Sequence, residues 1–378
     1  MRPSRFAASA LGALALLLAA ALPARAAEIA VATVGPMTGQ YAIFGEQLRR
    51  GADLAVRTIN QAGGVLGRQL RLEVGDDACD PKQAVAVANR LATRRVALVA
   101  GHYCSSSSIP ASAVYHEAGI LQITPASTAP ALTDDAAKRG WKTVFRTYGR
   151  DDAQARVSGR LLAERFGAVP VAILHDKTSY GRGLADETRA VYRKAGHREA
   201  MYEAITAGDK DFTALVSRMK AARIGAIYLG GYHTEAGLIA RQAREQGLDA
   251  VLVSGDALVT DEFWKIAGPA GNGTLMTFAP DPRRAPAAAA IVGRFRAEGY
   301  EPEGYALYSY AAVQVWAEAA ARAKSVKASS VAAALRAGTF DTVVGQMRFD
   351  AKGDVLAPKY AVYVWKDGRY EEAIPADR

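Results

Sequence analysis

Short apolar runs alternate with amphipathic stretches along most of the chain, and this alternation limits the fold more than any other feature. Ile29–Val34 reads as a strand, Phe44–Ala62 as a helix ending at Gly63-Gly64, and Gln69–Gly75 as a second strand. Asp80 then caps a helix with Pro81 at its first position, a pairing suited to a helix start. Val96–Ala100 and Gly119–Ile123 follow as strands, and the pattern restarts beyond Thr147. Strands at Val169–Leu174, Ala200–Ile205, Ala226–Leu229 and Val251–Val253 alternate with helices after His175, over Phe212–Ala222 and from Glu235. Such alternation implies βαβ units and parallel sheets. At 378 residues the chain exceeds one ordinary core, so two similar α/β domains are expected. From Phe278 the text changes to a Pro/Arg/Ala stretch and then helices at Ile291–Gly299, Ala306–Ala323 and Ser329–Ala337. Strands at Phe340–Phe349 and Tyr360–Lys366 close the chain.

Parallel sheets bind ligands beyond the carboxyl ends of their strands. The loops at Gly35, Gly101, Thr124, His175, Gly230 and Gly255 all follow strands, and across two domains they would form one cleft. Val96–Pro110 is the most telling: an apolar run stops at Gly101, and Cys104 leads into four serines and a helical stretch. A helix N-terminus presents backbone N–H groups and a positive dipole end, and serine hydroxyls add donors. Serine is also a favoured helix cap, but four in a row exceed what one cap needs, so an anion site is expected.

The N-terminus accounts for itself. Arg2 and Arg5 precede an Ala/Leu run over Phe6–Leu22, and Ala24-Arg25-Ala26 supplies small residues for cleavage. This is read as a secretory signal peptide, residues 1–26, leaving an exported protein that begins near Ala27. Without its three arginines, 44 basic residues face 38 acidic ones, a balance of +6 that is spread rather than clustered, so no nucleic-acid partner is expected. Cys79 and Cys104 are the only cysteines, and each follows a predicted strand of one sheet. They are expected to lie side by side as a disulfide, in keeping with an oxidising compartment. Two cysteines and five scattered histidines give no metal site, and no cofactor is expected.

At the loops the sequence resembles the leucine/isoleucine/valine-binding proteins of bacterial ABC transporters. The resemblance is carried by Asp76-Asp-Ala-Cys-Asp-Pro-Lys-Gln-Ala-Val-Ala-Val-Ala-Asn89, Cys104-Ser-Ser-Ser with Pro110-Ala-Ser, and Ile123-Thr-Pro-Ala-Ser-Thr-Ala-Pro130. His175-Asp-Lys with Tyr180-Gly, Ile205-Thr-Ala-Gly, Gly230-Gly-Tyr-His233 and Asp341-Thr-Val-Val-Gly345 continue it in order through the mature chain. It implies the periplasmic-binding-protein type I fold, two Rossmann-like α/β domains joined by three crossovers with a ligand cleft between them. The lobes would comprise residues 27–146 plus 280–358, and 147–279 plus 359–378. The anion would be an amino-acid α-carboxylate, held by Ser105 and Thr128 beside Ser127, with the Ala126 carbonyl and Asp256 facing the ammonium. Tyr180 and Tyr232 would close over it from the second lobe.

Four positions depart from the family's commonest pattern. Asp256 stands where Glu is usual, Tyr103 where a leucine lines the pocket, Tyr305 where a phenylalanine does, and Phe44 where Tyr or Trp is common. The apolar end is therefore more aromatic and carries more hydroxyls. The reading is a periplasmic receptor that captures an aliphatic amino acid, leucine, isoleucine or valine first, by hinge closure. It would act as a monomer and deliver the ligand to a membrane permease. An aromatic acid as ligand and a sensor of the same fold are the alternatives. No Gly-x-Ser-x-Gly element or Ser–His–Asp set suggests an enzyme.

Overall fold

The computed structural model describes residues 27–376, so the expected signal peptide lies outside the described residues. Strands β1 (Ile29–Gly35), β2 (Leu70–Asp76), β3 (Leu98–Gly101), β4 (Leu121–Thr124) and β5 (Val144–Arg146) form one parallel sheet in the order β2-β1-β3-β4-β5. The central strands are nearly continuous apolar runs because helices cover both faces. Val31, Leu98 and Leu121 pack with the helices Ala42–Gln61 and Ala306–Ala323. Val34 and Val99 meet the helices Pro81–Thr93 and Ser105–Glu117. The first two helices cross so closely that a Cβ on Gly51 would lie 2.2 Å from the Ala306 carbonyl oxygen.

The same order recurs in the second sheet. Strands β6 (Val171–His175), β7 (Met201–Ala204), β8 (Ala226–Gly230), β9 (Val251–Ser254) and β10 (Leu275–Phe278) run parallel as β7-β6-β8-β9-β10. A small hairpin, β11 (Phe340–Thr342) and β12 (Gly345–Met347), stands apart. The antiparallel strands β13 (Ala361–Lys366) and β14 (Arg369–Ile374) then extend the second sheet beyond β10 to seven strands. The chain therefore passes from the first sheet to the second after β5, leaves it after β10 and rejoins it before β13.

One local expectation needs correction. Phe340–Phe349 is not one strand: Gly345 has φ +101° and Thr342 Oγ1 donates to the Gly345 carbonyl at 2.7 Å, which reverses the chain into the hairpin. The four serines are not caps, in keeping with the sequence reading. Cys104 is the N-cap residue, with no side-chain capping bond, and Ser105–Ser108 form the first turn of the helix. Asp80 does cap its helix, accepting from the Lys82 and Gln83 N–H groups at 2.9 and 2.8 Å.

Cys79 and Cys104 form the disulfide, with Cα atoms 5.5 Å apart, tying the loop after β2 to the start of the serine helix. Closing a loop of 25 residues stabilises the fold by about 3.5 kcal/mol in the chain-entropy account. Replacing both cysteines by serine should lower the unfolding free energy by about that amount in a guanidinium titration, whereas a change below 1 kcal/mol would mean the bridge constrains little.

Candidate functional site

The loops beyond the strand ends of both sheets converge on one small space. Tyr103, Ser105 and Ala126 line it from the first sheet, and Tyr180, Tyr232 and Asp256 from the second. Ala257 and Tyr305, the latter just before the long helix Ala306–Ala323, complete the lining.

The chemistry concentrates on Asp256, which is 1 % exposed. It opens a short 3-10 turn directly after Gly255, and a Cβ on Gly255 would lie 2.6 Å from the Tyr180 hydroxyl and 2.9 Å from Gln154 Nε2. Glycine there lets both donors reach the carboxylate. Tyr180 and Gln154 donate to Oδ1 at 2.8 and 3.1 Å, and Tyr305 donates to Oδ2 at 2.8 Å. All three donors are neutral, and among the described residues no lysine or arginine pairs with Asp256. Burial pushes its carboxyl up to about 6, against the opposing pull of the two tyrosine hydroxyls.

Opposite stands the start of the serine helix. Ser105 lines the space, and its Oγ accepts from the Ala129 N–H at 3.2 Å. Thr128 Oγ1 is buried without a hydrogen-bond partner of good geometry. Ser127 turns elsewhere: its Oγ bonds Ser108 Oγ at 2.7 Å and donates to the Tyr103 carbonyl at 2.9 Å, stitching the two loops together. The walls are aromatic. Phe44 stacks on Tyr103 with centroids 4.4 Å apart, behind the lining rather than in it, and Tyr305 meets the Tyr103 ring edge-on at 5.3 Å. From the second sheet Tyr232 lies 5.2 Å from the Tyr180 ring and donates its hydroxyl to Cys104 Sγ at 3.3 Å, so the disulfide touches both halves of the cleft.

Several residues that matter here carry no local signal in the sequence. Arg146, fully buried at the end of β5, donates to the Ser127 and Ala129 carbonyls at 2.8 and 3.1 Å and pairs with Asp354 at 2.6 Å. It fixes the loop bearing Ala126 and Thr128. Gln154 and Asp151 sit in the first turn of a helix, Asp151–Phe166, and Asp151 donates its N–H to the Thr128 carbonyl at 3.0 Å. Burial, and then the charge on Asp256, raises the Asp151 carboxyl well above the usual carboxylate range. His102 is a packing residue: Nδ1 meets Asp77 at 2.5 Å and Nε2 meets the Tyr115 hydroxyl at 2.8 Å. Among the described residues no group of three or more His, Cys, Asp or Glu is placed to hold a metal ion.

The arrangement offers hydroxyl donors and a helix N-terminus at one end, a buried carboxylate at the other, and aromatic walls between. That suits a small zwitterion. Comparison with known proteins agrees. A family model described as periplasmic binding protein matches residues 28–369. Leu/Ile/Val-binding protein homolog 1 of Brucella suis is 46 % identical over 348 residues, covering 91 % of this chain and 93 % of that protein. A leucine-, isoleucine-, valine-, threonine- and alanine-binding protein of Pseudomonas aeruginosa is 44 % identical, covering 89 % and 90 %. The branched-chain amino acid transporter substrate binding protein of Streptococcus pneumoniae, solved with isoleucine, superposes with a TM-score of 0.82 at 27 % identity, covering 92 % of this chain and all of that one. The fold is the type I arrangement that the resemblance implied.

Arg146→Ala would free the loop at Ala126–Ala129 and leave Asp354, among the described residues, with Arg150 alone as a cation, at 2.9 Å. A loss of roughly 3 kcal/mol or more in unfolding free energy is expected by denaturant titration, and a loss under 1 kcal/mol would contradict this role.

Proposed function

The chain belongs to the periplasmic binding protein family, and on that premise we propose that it is the solute receptor of an ABC transporter, capturing an aliphatic L-amino acid of the leucine/isoleucine/valine class. It would work outside the cytoplasm as a monomer and hand its ligand to a membrane permease. One observation carries the reading: a fully buried carboxylate, Asp256, held between the two sheets by neutral donors and lacking a cation partner among the described residues. An α-ammonium group supplies that cation. The α-carboxylate then falls to Ser105 at the helix start and to Thr128 in the loop after β4, and the side chain to the walls of Tyr103, Tyr180, Tyr232 and Tyr305.

The two lobes are taken as residues 27–146 with 280–358, and 147–279 with 359–378, turning about the three crossings. Ligand contacts on both lobes favour the closed form by their differential binding energy. An amine-free aromatic acid fits less well, because it would bring a second negative charge towards Asp256 without neutralising it.

Protein refolded free of co-purified ligand, titrated calorimetrically with leucine, isoleucine, valine, alanine, threonine and benzoate, tests the assignment. Binding of at least one aliphatic amino acid is expected, together with a smaller radius of gyration by small-angle scattering. Asp256→Ala should weaken that binding by about a hundredfold or more, since a buried ammonium would lose its counter-charge. Binding of benzoate with no amino acid bound would overturn the proposal.

A further inference from the structure

A second set of titratable side chains lies in the neighbourhood of Tyr232. Asp176 follows β6 and Glu235 lies in the first turn of the helix His233–Glu245, both on the second sheet. From the first sheet, the loop after β1 lays Tyr41 and Gln40 over them. The Tyr41 ring is 4.5 Å from Tyr232 and 6.2 Å from His233, and Gln40 Nε2 donates to Glu235 Oε1 at 3.5 Å. Tyr41, Asp176 and Glu235 are 7, 3 and 0 % exposed.

Each carboxylate is half satisfied. Asp176 Oδ1 accepts from the Thr178 N–H and hydroxyl at 2.9 and 2.7 Å, and Glu235 Oε1 accepts from the Gly208 N–H at 2.7 Å. Asp176 Oδ2 and Glu235 Oε2 have no hydrogen-bond partner from the protein, and the Tyr41 hydroxyl has none of good geometry. Among the described residues no lysine or arginine pairs with either acid; Lys177, next to Asp176, turns its Nζ to Thr206 at 3.0 Å. The other titratable groups around them are Tyr41, Tyr232, Asp209 and His233, and burial lowers His233 to about 4, leaving it neutral. Burial first, then the Glu235 charge, pushes Asp176 up to about 6. Glu235 is raised too, by burial first.

We propose that Asp176 and Glu235, roofed by Tyr41 and Gln40, make closure of the receptor proton-linked: the lobes shut on the amino acid with uptake of a proton by this pair. The proposal rests on the receptor reading above. With the lobes apart the pair faces water and ionises in the ordinary carboxylate range. Closure strips that water and brings no cation, so the neutral form is favoured. Asp256 differs, because it meets the ligand's ammonium on closing and stays charged. The sign follows. Closure is least costly at low pH, where the pair is neutral in both states, and loses that advantage as pH rises from about 4 through about 6.

Calorimetry of the full mature protein with its bound amino acid, run in buffers of different ionisation enthalpy, reads the proton count directly. Uptake should approach about one proton per ligand near pH 5 and fall towards zero by pH 8, with affinity about tenfold tighter at pH 5 than at pH 7. Asp176→Asn combined with Glu235→Gln keeps the Oδ1 and Oε1 acceptors and should bind ligand while losing most of the uptake. Asp151 is unchanged in that variant, so whatever it contributes is common to both proteins. Ligand binding with no uptake in the natural protein, or equal uptake in the variant, would overturn the proposal. Failure of every amino acid to bind would instead overturn the receptor reading.

Discussion

The structure turns on a carboxylate that no cation among the described residues neutralises. Asp256 is buried between two sheets and receives hydrogen bonds from Tyr180, Gln154 and Tyr305. Three neutral donors orient the group without cancelling its charge, and removing a carboxylate from water is expensive unless a cation answers it. The donors come from different parts of the chain: Tyr180 and Gln154 from helices of the second sheet, Tyr305 from the segment entering the helix that packs on the first. The carboxylate is therefore assembled in this form where the two halves meet, and in the proposed reading a ligand cation would make that meeting favourable.

Aromatic packing carries the consequence away from the site. Tyr305 lies 5.5 Å from Tyr148, edge-on, and Tyr148 meets Tyr308, Phe278 and Tyr360 at 4.8, 5.5 and 5.8 Å. Tyr148, Phe278 and Tyr360 flank the three places where the chain passes between sheets, and the Tyr148 hydroxyl accepts from the Ala279 N–H at 3.2 Å. Tyr305 and Tyr148 together thus link Asp256 to the crossing segments. At the other side of the cleft, Tyr232 reaches Tyr41 and the disulfide at Cys104. Rings supply this contact with few rotatable bonds to immobilise, which suits an interface that must form and separate.

Much of the fold was legible because parallel strands buried on both faces are apolar runs, and the loops after them hold the polar residues. The first strand, the Asp80 helix and Ala306–Ala323 fall within a few residues of where the pattern places them. What escaped was short or atypical. β5 is three residues ending in a buried arginine, and its meaning depends on Asp354, far along the chain. β14 alternates exposed and half-buried residues at a sheet edge, so it lacks an apolar signature. Of the site, Ser105, Ala126, Tyr103, Tyr180, Tyr232, Asp256 and Tyr305 meet at the cavity, while Ser127 and Phe44 support it from behind. Gln154 and Asp151 could not be read locally, since an ordinary polar first turn becomes special only when it faces Asp256.

A crystal structure of the protein with its bound amino acid tests the central claim most directly. The account predicts the α-ammonium within hydrogen-bond distance of Asp256 and the Ala126 carbonyl, and the α-carboxylate against Ser105 and Thr128. A ligand bound in the reverse sense, or one lacking an amine with Asp256 still bonded only to Tyr180, Gln154 and Tyr305, would contradict it.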